Sequence, residues 1–267
     1  MGNVEIFPPP EILKKYVRYI WALNINDDAT NKKILHIFAD KYPRLIFQDL
    51  DTKEALKQID GSPLAPTFLA GIVNKYKNYI IEGSYAHVGV SFFPGAIKKL
   101  FGIDAFELVN MVPDIRDFYR FELNEQLTET KSNAEKVKLI SDYLVSCYHR
   151  QYGEDFIVAD FLRNHQQLTY KEVLKKYSIS ERQFQRRFYQ YVGISPVMYK
   201  RLSRFENALS MLRNKEHRNT SDIAYELNYT DHSHFIREFK EFTGLTPNSF
   251  LKHPKIVEES SSFLSQI

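Results

Sequence analysis

The last hundred residues of this 267-residue chain contain the same pattern twice. Val173-Leu174-Lys175-Lys176-Tyr177-Ser178-Ile179-Ser180 aligns with Ile223-Ala224-Tyr225-Glu226-Leu227-Asn228-Tyr229-Thr230 at an offset of 50. After one inserted residue, Phe184, Phe188, Gly193, Pro196 and Tyr199 align with Phe235, Phe239, Gly244, Pro247 and Phe250 at an offset of 51. A tandem repeat constrains the segment strongly, because whatever helix or turn is read in one copy must also suit the other. Each copy reads as a short helix, a tight turn, a capped second helix and a Gly-x-x-Pro exit. Ser180 and Thr230 are the expected N-caps, since their hydroxyls can accept from free N–H groups of the first turn, and Gly193 and Gly244 suit a helix C-terminus.

This order is that of a helix-turn-helix, whose second helix is presented to the major groove of DNA. On the helix after Ser180, Phe184, Phe188 and Tyr191 form one apolar stripe, with Arg182, Gln185, Arg186 and Tyr189 on the opposite side. Those four are apt for DNA: Arg pairs with guanine O6 and N7, Gln with adenine N6 and N7, and a tyrosine hydroxyl reaches phosphate. In the second copy Phe235, Phe239 and Phe242 form the stripe, Ser233 and Arg237 point away from it, and His232 and His234 flank the polar face. One such helix would suit an ordinary solvated surface, but two with matching caps, aromatic spacing and exits favour DNA binding. Charge agrees weakly. Residues 155 to 253 hold 16 Lys+Arg against 11 Asp+Glu, whereas residues 1 to 154 hold 19 against 20.

Residues 172 to 252 resemble the DNA-binding domain of the AraC/XylS family of bacterial regulators. The resemblance rests on Asp222-Ile223-Ala224, Tyr229-Thr230-Asp231-His232-Ser233-His234-Phe235, Phe239-Lys240 and Thr243-Gly244-Leu245-Thr246-Pro247, and on a linking segment with Tyr199, Arg204, Ala208 and Leu212. It implies a linking helix that holds both reading helices on one side of the DNA, entering successive major-groove segments about 34 Å apart. By position the family's base-reading residues fall on Arg182, Gln185 and Arg186 in the first unit, and on His232, Ser233, His234 and Arg237 in the second. Where the family usually has Gly in the turn, this chain has Ser178 and Asn228; where a small residue is usual, it has Leu174. Double-stranded DNA is the implied partner. RNA polymerase, a small-molecule effector on the N-terminal domain and a second copy of the chain are further partners that the resemblance allows.

The first half reads differently. Short apolar segments at Ile34–Phe38, Arg44–Phe47, Thr67–Gly71, Tyr79–Ile81 and His87–Phe93, separated by Pro, Gly, Asn and Asp, suggest a small sandwich or barrel. Ala134 to Tyr152 then places Val137, Ile140, Leu144, Cys147 and Tyr148 near one helical face, either a dimerisation helix or a helix packed on its own domain. The expected fold is therefore α+β: a β-rich, barrel-like sensor domain over 1–130, a helical connector over 131–154, an all-α domain over 155–253 with two helix-turn-helix units (about 168–193 and 219–244) joined by a helix at about 196–214, and a flexible tail over 254–267. Phe93-Pro94-Gly95 after a β run, with Trp21 near the start, resembles an uncharacterised sensor-like domain found before such DNA-binding units.

Enzymatic readings find little support. The lone Cys147 sits in a helical apolar run, and no phosphate loop, Gly-x-Ser-x-Gly or Cys-x-x-Cys occurs. His36, Asp40 and His87 lack the closely spaced His pair of a cupin-like metal site, and His232 with His234 lacks further ligands nearby. No catalytic residue, metal ligand or cofactor is expected. With neither a signal-like N-terminus nor a long uncharged apolar run, the chain is expected in the cytoplasm, with the nucleoid, and not in a membrane.

Overall fold

A computed structural model describes residues 2–26, 32–51, 53–150, 152–165, 168–214, 219–252 and 262–266. The N-terminal half is built on strands β1 (Gly2–Phe7), β2 (Val17–Ile25), β3 (Lys32–Ile37), β4 (Arg44–Gln48), β5 (Thr67–Ala70), β6 (Lys77–Glu82) and β7 (Tyr85–Phe92). Five of them form an antiparallel sheet in the order β1-β2-β7-β4-β5, and β6 and β3 belong to a second sheet. The two sheets face each other without closing into a barrel, which refines the barrel-like expectation to an open sandwich.

Alternation along the strands assigns each side chain to one of two layers. Trp21, Leu23 and Ile25 of β2 and Tyr85 of β7 point between the sheets with Leu35, Ile46, Phe68 and Tyr79. Ile20 and Ala22 of β2 and Val88, Val90 and Phe92 of β7 point the other way, onto helices α1 (Ala96–Phe101) and α3 (Asn133–Tyr148). With both faces covered, every residue of β7 is buried. A short helix, α2 (Asn124–Glu129), precedes α3. The connector residues Val137, Ile140, Leu144 and Cys147 are all buried in this layer, so the apolar face of α3 packs on its own domain.

The C-terminal half is helical: α4 (Phe156–Asn164), α5 (Tyr170–Tyr177), α6 (Glu181–Val192), α7 (Pro196–Asn214), α8 (Thr220–Glu226), α9 (His232–Thr243) and α10 (Pro247–Lys252). Its aromatic core runs continuously into the N-terminal half. Phe38, Ala39 and Ile72 belong to the same buried cluster as Phe184, Phe188, Phe235 and Phe239. The Ala39 amide donates to the Phe242 carbonyl at 2.8 Å. Lys41, almost wholly buried, ion-pairs with Glu206 of α7 at 2.7 Å and donates to Ser203 at 3.0 Å.

The flexible tail expected over 254–267 needs correction where it is described. Ser262–Gln266 forms a strand, β8, antiparallel to β3 in the order β6-β3-β8; the remainder of that expectation, residues 254–261 and 267, lies outside the described residues. Phe263 and Leu264 follow a charged and serine-rich stretch, and the edge of β3 they pair with would otherwise present a row of open N–H and C=O groups.

Candidate nucleic-acid interface

Each copy of the repeat folds as a helix, a turn and a second helix: α5 with α6, and α8 with α9. The turn of the first places Ser178 at φ 50°, and that of the second places Asn228 at φ 55°, both in the left-handed region where glycine is the easiest occupant. The turn geometry is thus kept without glycine. Ser180 caps α6 in a reciprocal box: the Gln183 amide donates to its hydroxyl at 3.3 Å, and its own amide donates to the Gln183 side chain at 2.9 Å. The same device starts α5, where Glu172 accepts from the Thr169 backbone amide, a bond that holds its carboxyl below the ordinary value. In the second unit the cap is Asp231, not Thr230. Its carboxylate accepts from the His234 amide at 2.7 Å, so the inserted residue falls before the cap and the offset of 51 already applies there. A carboxylate at this end also complements the helix dipole.

Helices α6 and α9 both end on glycines in the left-handed conformation, Gly193 at φ 97° and Gly244 at φ 77°. The stripes Phe184–Phe188–Tyr191 and Phe235–Phe239–Phe242 are buried. Arg182, Gln185, Arg186 and Tyr189 of α6, and Ser233 and Arg237 of α9, are exposed. Arg182, Gln185, Arg186 and Tyr189 line one open cleft with Ser195 and Val197. Among the described residues, Arg182, Arg186 and Arg237 have no hydrogen-bond or ion-pair partner. Three unengaged guanidinium groups on two equivalent helices are the donors a base edge or phosphate accepts from.

A family model described as a helix-turn-helix domain matches residues 173–253, the two units just described. The chain carries an AraC-type helix-turn-helix domain. A second model, a domain of unknown function (DUF6597), matches residues 5–114, the two facing sheets. The uncharacterized HTH-type transcriptional regulator YtdP of Bacillus subtilis (strain 168) is 25% identical over 181 residues, which is 67% of this chain. The chain spans about a fifth of that relative's length, 21%. ToxT from Vibrio cholerae O395 is similar in structure over 94% of this chain and 96% of its own, at 11% identity and a TM-score of 0.39. Unsaturated-fatty-acid-bound ToxT from Vibrio cholerae strain SCE256 covers 94% of each chain at 11% identity and a TM-score of 0.37.

Within the AraC-type domain, several residues expected at DNA are held by other contacts. Tyr189 stacks on Phe106 of the N-terminal half, ring centroids 5.1 Å apart and 6° from parallel. Gln185 donates to Glu181 at 2.9 Å. A ring nitrogen of His232 lies 2.9 Å from the Thr220 hydroxyl, and the His234 ring packs edge-on against Tyr229, with Glu238 at 3.9 Å. Both histidines are half-buried, because they brace the first turn of α9 against α8 and the turn before it. Of the residues considered as metal ligands, Asp40 pairs with Arg44 and His87 lies between Trp21 and Tyr85.

One structural residue escaped the sequence reading. Glu238, its side chain 1% exposed, accepts from Arg201 at 2.8 Å and from Arg204 at 2.8 and 3.0 Å, both on α7. The Arg204 guanidinium also lies 3.9 Å from the Tyr229 ring centroid. Burial raises the Tyr229 hydroxyl above its ordinary pKa, with Glu238 adding to the effect. The linking helix α7 is therefore bolted to α9 by a buried carboxylate. The clue was present: Glu238 falls one turn beyond Phe235 and beside Phe239, an acidic residue within an apolar stripe.

Proposed function

We propose that this protein is a sequence-specific transcription regulator that reads two successive major-groove segments, one with α6 and one with α9. The observation that carries this is the repetition of one device at equivalent positions: a capped helix, anchored by a buried aromatic stripe, presenting unengaged arginines. Arg182 and Arg186 are assigned to guanine edges in the first segment, and Gln185 to an adenine once it leaves Glu181. Ser233 and Arg237 read the second segment. Tyr189 reaches a phosphate on leaving Phe106, and His232 and His234 approach the backbone beside the N-terminus of α9.

The N-terminal domain holds a largely apolar cavity between its sheets, partly open to solvent. This supports control by a small-molecule effector. Contact with RNA polymerase and pairing with a second copy belong to the same reading on the family likeness alone. DNA as partner places the protein with the nucleoid in the cytoplasm; among the described residues no helix is long and apolar enough to cross a membrane.

Selection of bound DNA from random pools by the full chain tests the reading. Arg186→Ala is expected to cost about 1 to 3 kcal/mol of specific affinity and to relax one base position, and Arg237→Ala to do the same in the other half of the site. Equal weakening on selected and random DNA in a salt-matched titration would show that the arginine touches phosphate only, and a half-site indifferent to its variant removes that unit as a reader. A motif duplicated with fixed spacing is the outcome that pairing of two copies requires.

A further inference from the structure

The cavity between the two sheets has a volume of about 100 Å3. Its wall is formed by Leu23, Ile25, Leu35, Ile46, Phe68 and other apolar side chains, with Trp21, Tyr85, His87 and Arg44, and the tyrosines Tyr19 and Tyr79, also reaching it. Engineered cavities of this order, when apolar, stay dry and take up benzene-sized guests. The polar groups at the wall decide what kind of guest fits this one.

Hydrogen positions follow from donor chemistry. The Trp21 indole N–H can only donate, and it does so to His87 Nε2 at 2.8 Å. His87 Nε2 is therefore an acceptor, and in a neutral imidazole the hydrogen must then sit on Nδ1. Burial and the nearby Arg44 push the His87 pKa down to about 3, so the ring is neutral at physiological pH. Nδ1–H accordingly donates to the Tyr85 oxygen, 3.1 Å away. The Tyr85 hydroxyl accepts that bond and keeps its own hydrogen. Tyr85 is 1% exposed, and among the described residues no acceptor for that hydrogen is found. The relay from Trp21 through His87 to Tyr85 thus ends in an unused donor on a largely apolar wall. Leaving such a donor unpaired is costly, and a water there would lack most of the three or so partners it usually finds.

Charge narrows the choice further. Arg44 is the cationic side chain at the wall, and it is already paired with Asp40, which is itself buried. An anionic guest would add a charge with no free cation among the described residues to compensate it at this largely apolar wall.

We propose that this cavity binds a small, uncharged, largely apolar molecule carrying one hydrogen-bond acceptor, such as a ketone, aldehyde or ether, oriented by the Tyr85 hydroxyl. The inference rests on the effector reading for its consequence at DNA, while binding itself is measured separately.

Trp21 is the single tryptophan of the chain, so its emission reports occupancy directly. The full chain is titrated with cyclohexanone and with methylenecyclohexane, which has the same shape but a CH2 group in place of the carbonyl oxygen. Tyr85→Phe is expected to weaken cyclohexanone about five- to tenfold, the scale of one net hydrogen bond, and to leave methylenecyclohexane unchanged. Ala70→Leu, which keeps the hydroxyl and fills space at the wall, is expected to abolish binding of both; it serves as the deciding variant should Tyr85→Phe fail to fold. The proposal is overturned if wild-type protein binds neither probe saturably, if Tyr85→Phe leaves cyclohexanone affinity unchanged, if Ala70→Leu binds normally, or if cyclohexanecarboxylate binds as tightly as cyclohexanone. Saturable, Tyr85-dependent binding that leaves operator affinity unaltered supports the site and sinks the effector reading alone.

Discussion

Removing the buried Glu238 carboxylate should destabilise the C-terminal half measurably. In Glu238→Ala the guanidinium groups of Arg201 and Arg204, with side chains 29% and 26% exposed, lose the acceptor that neutralises them. Deleting one member of a fully buried ion pair costs about 3 to 5 kcal/mol, because the surviving charge is left without compensation. Here the arginines keep some solvent, and Arg201 keeps Glu241 at 2.7 Å, so the expected loss falls to about 2 to 3 kcal/mol. For a folding unit of this size each kcal/mol moves Tm by about 2 to 4 °C, giving a drop of roughly 4 to 12 °C. Thermal unfolding of the full chain by circular dichroism measures it. Glu122→Ala is the control, since the Arg120–Glu122 pair is exposed on both sides and its loss should go unnoticed. Glu238→Gln, which preserves shape and an acceptor oxygen, should recover part of the loss. Because Arg237 sits on the same helix, DNA binding by Glu238→Ala should fail first in the second half of the site. A Glu238→Ala Tm within about 1 °C of wild type would refute the reasoning: the fork would then repay no more than its own desolvation.

Three further outcomes follow from particular side chains. Ser178→Gly should raise stability by roughly 0.5 to 1 kcal/mol, the left-handed penalty less the added freedom of the unfolded chain, whereas Asn228→Gly should gain less because Asn tolerates that region; a lower Tm for Ser178→Gly would contradict the strain argument. His87 titrates near 3 when folded and near 6.5 when unfolded, so the unfolded chain takes up the proton first. Its contribution is intact above pH 6.5 and is lost as pH falls from there toward 3, about 2 kcal/mol by pH 5; urea midpoints at pH 7.5 and 5 should show this slope in wild type and its loss in His87→Gln. Phe106→Ala removes a stack of the kind worth about 0.5 to 1.5 kcal/mol and should tighten operator binding about two- to tenfold if Tyr189 has to leave Phe106 to reach phosphate; unchanged affinity in a gel-shift titration would take Tyr189 out of the interface.

The C-terminal half was legible in unusual detail because repetition supplies an internal check. Both aromatic stripes, the glycine exits and the open positions of Arg182, Arg186 and Arg237 stand where periodicity puts them. The cap of α9 was misread by one residue, since Thr230 and Asp231 are both good caps and only placing the insertion decides between them. β2, an interior strand, went unread because both of its faces are covered in the middle: Ile20–Leu23 is buried without a break, so the polar alternation that betrays a half-exposed strand is missing. The contacts holding Tyr189, His232 and His234 were out of reach for another reason. Their partners, Phe106, Thr220 and Tyr229, depend on tertiary packing, and nothing in the spacing of α6 or α9 announces them.

The two exits of the repeat also explain why the halves share a core instead of merely being tethered. Gly193 and Gly244 are equivalent by the offset of 51, and each abuts the N-terminal half. A Cβ at Gly193 would lie 2.8 Å from the Ala105 carbonyl oxygen, and one at Gly244 would lie 3.1 Å from the Tyr76 ring. Glycine is therefore favoured at each exit for its backbone angle, and at Gly193 it is also required by the close approach of the Ala105 backbone, whereas at Gly244 the exposed Tyr76 ring would have to shift only slightly. The C-terminal end of each reading helix is thus braced by the sandwich, α6 by Ala105 and Phe106 and α9 by Ala39 and Tyr76. Ile72, Val73 and Val112 connect that brace to the cavity: Ile72 is part of the shared core, while its neighbour Val73, together with Val112, lines the cavity. The cavity wall and the core shared with α6 and α9 are thus adjacent along one segment of chain, Ile72–Val73, which is the shortest structural route between the N-terminal cavity and the helix-turn-helix units.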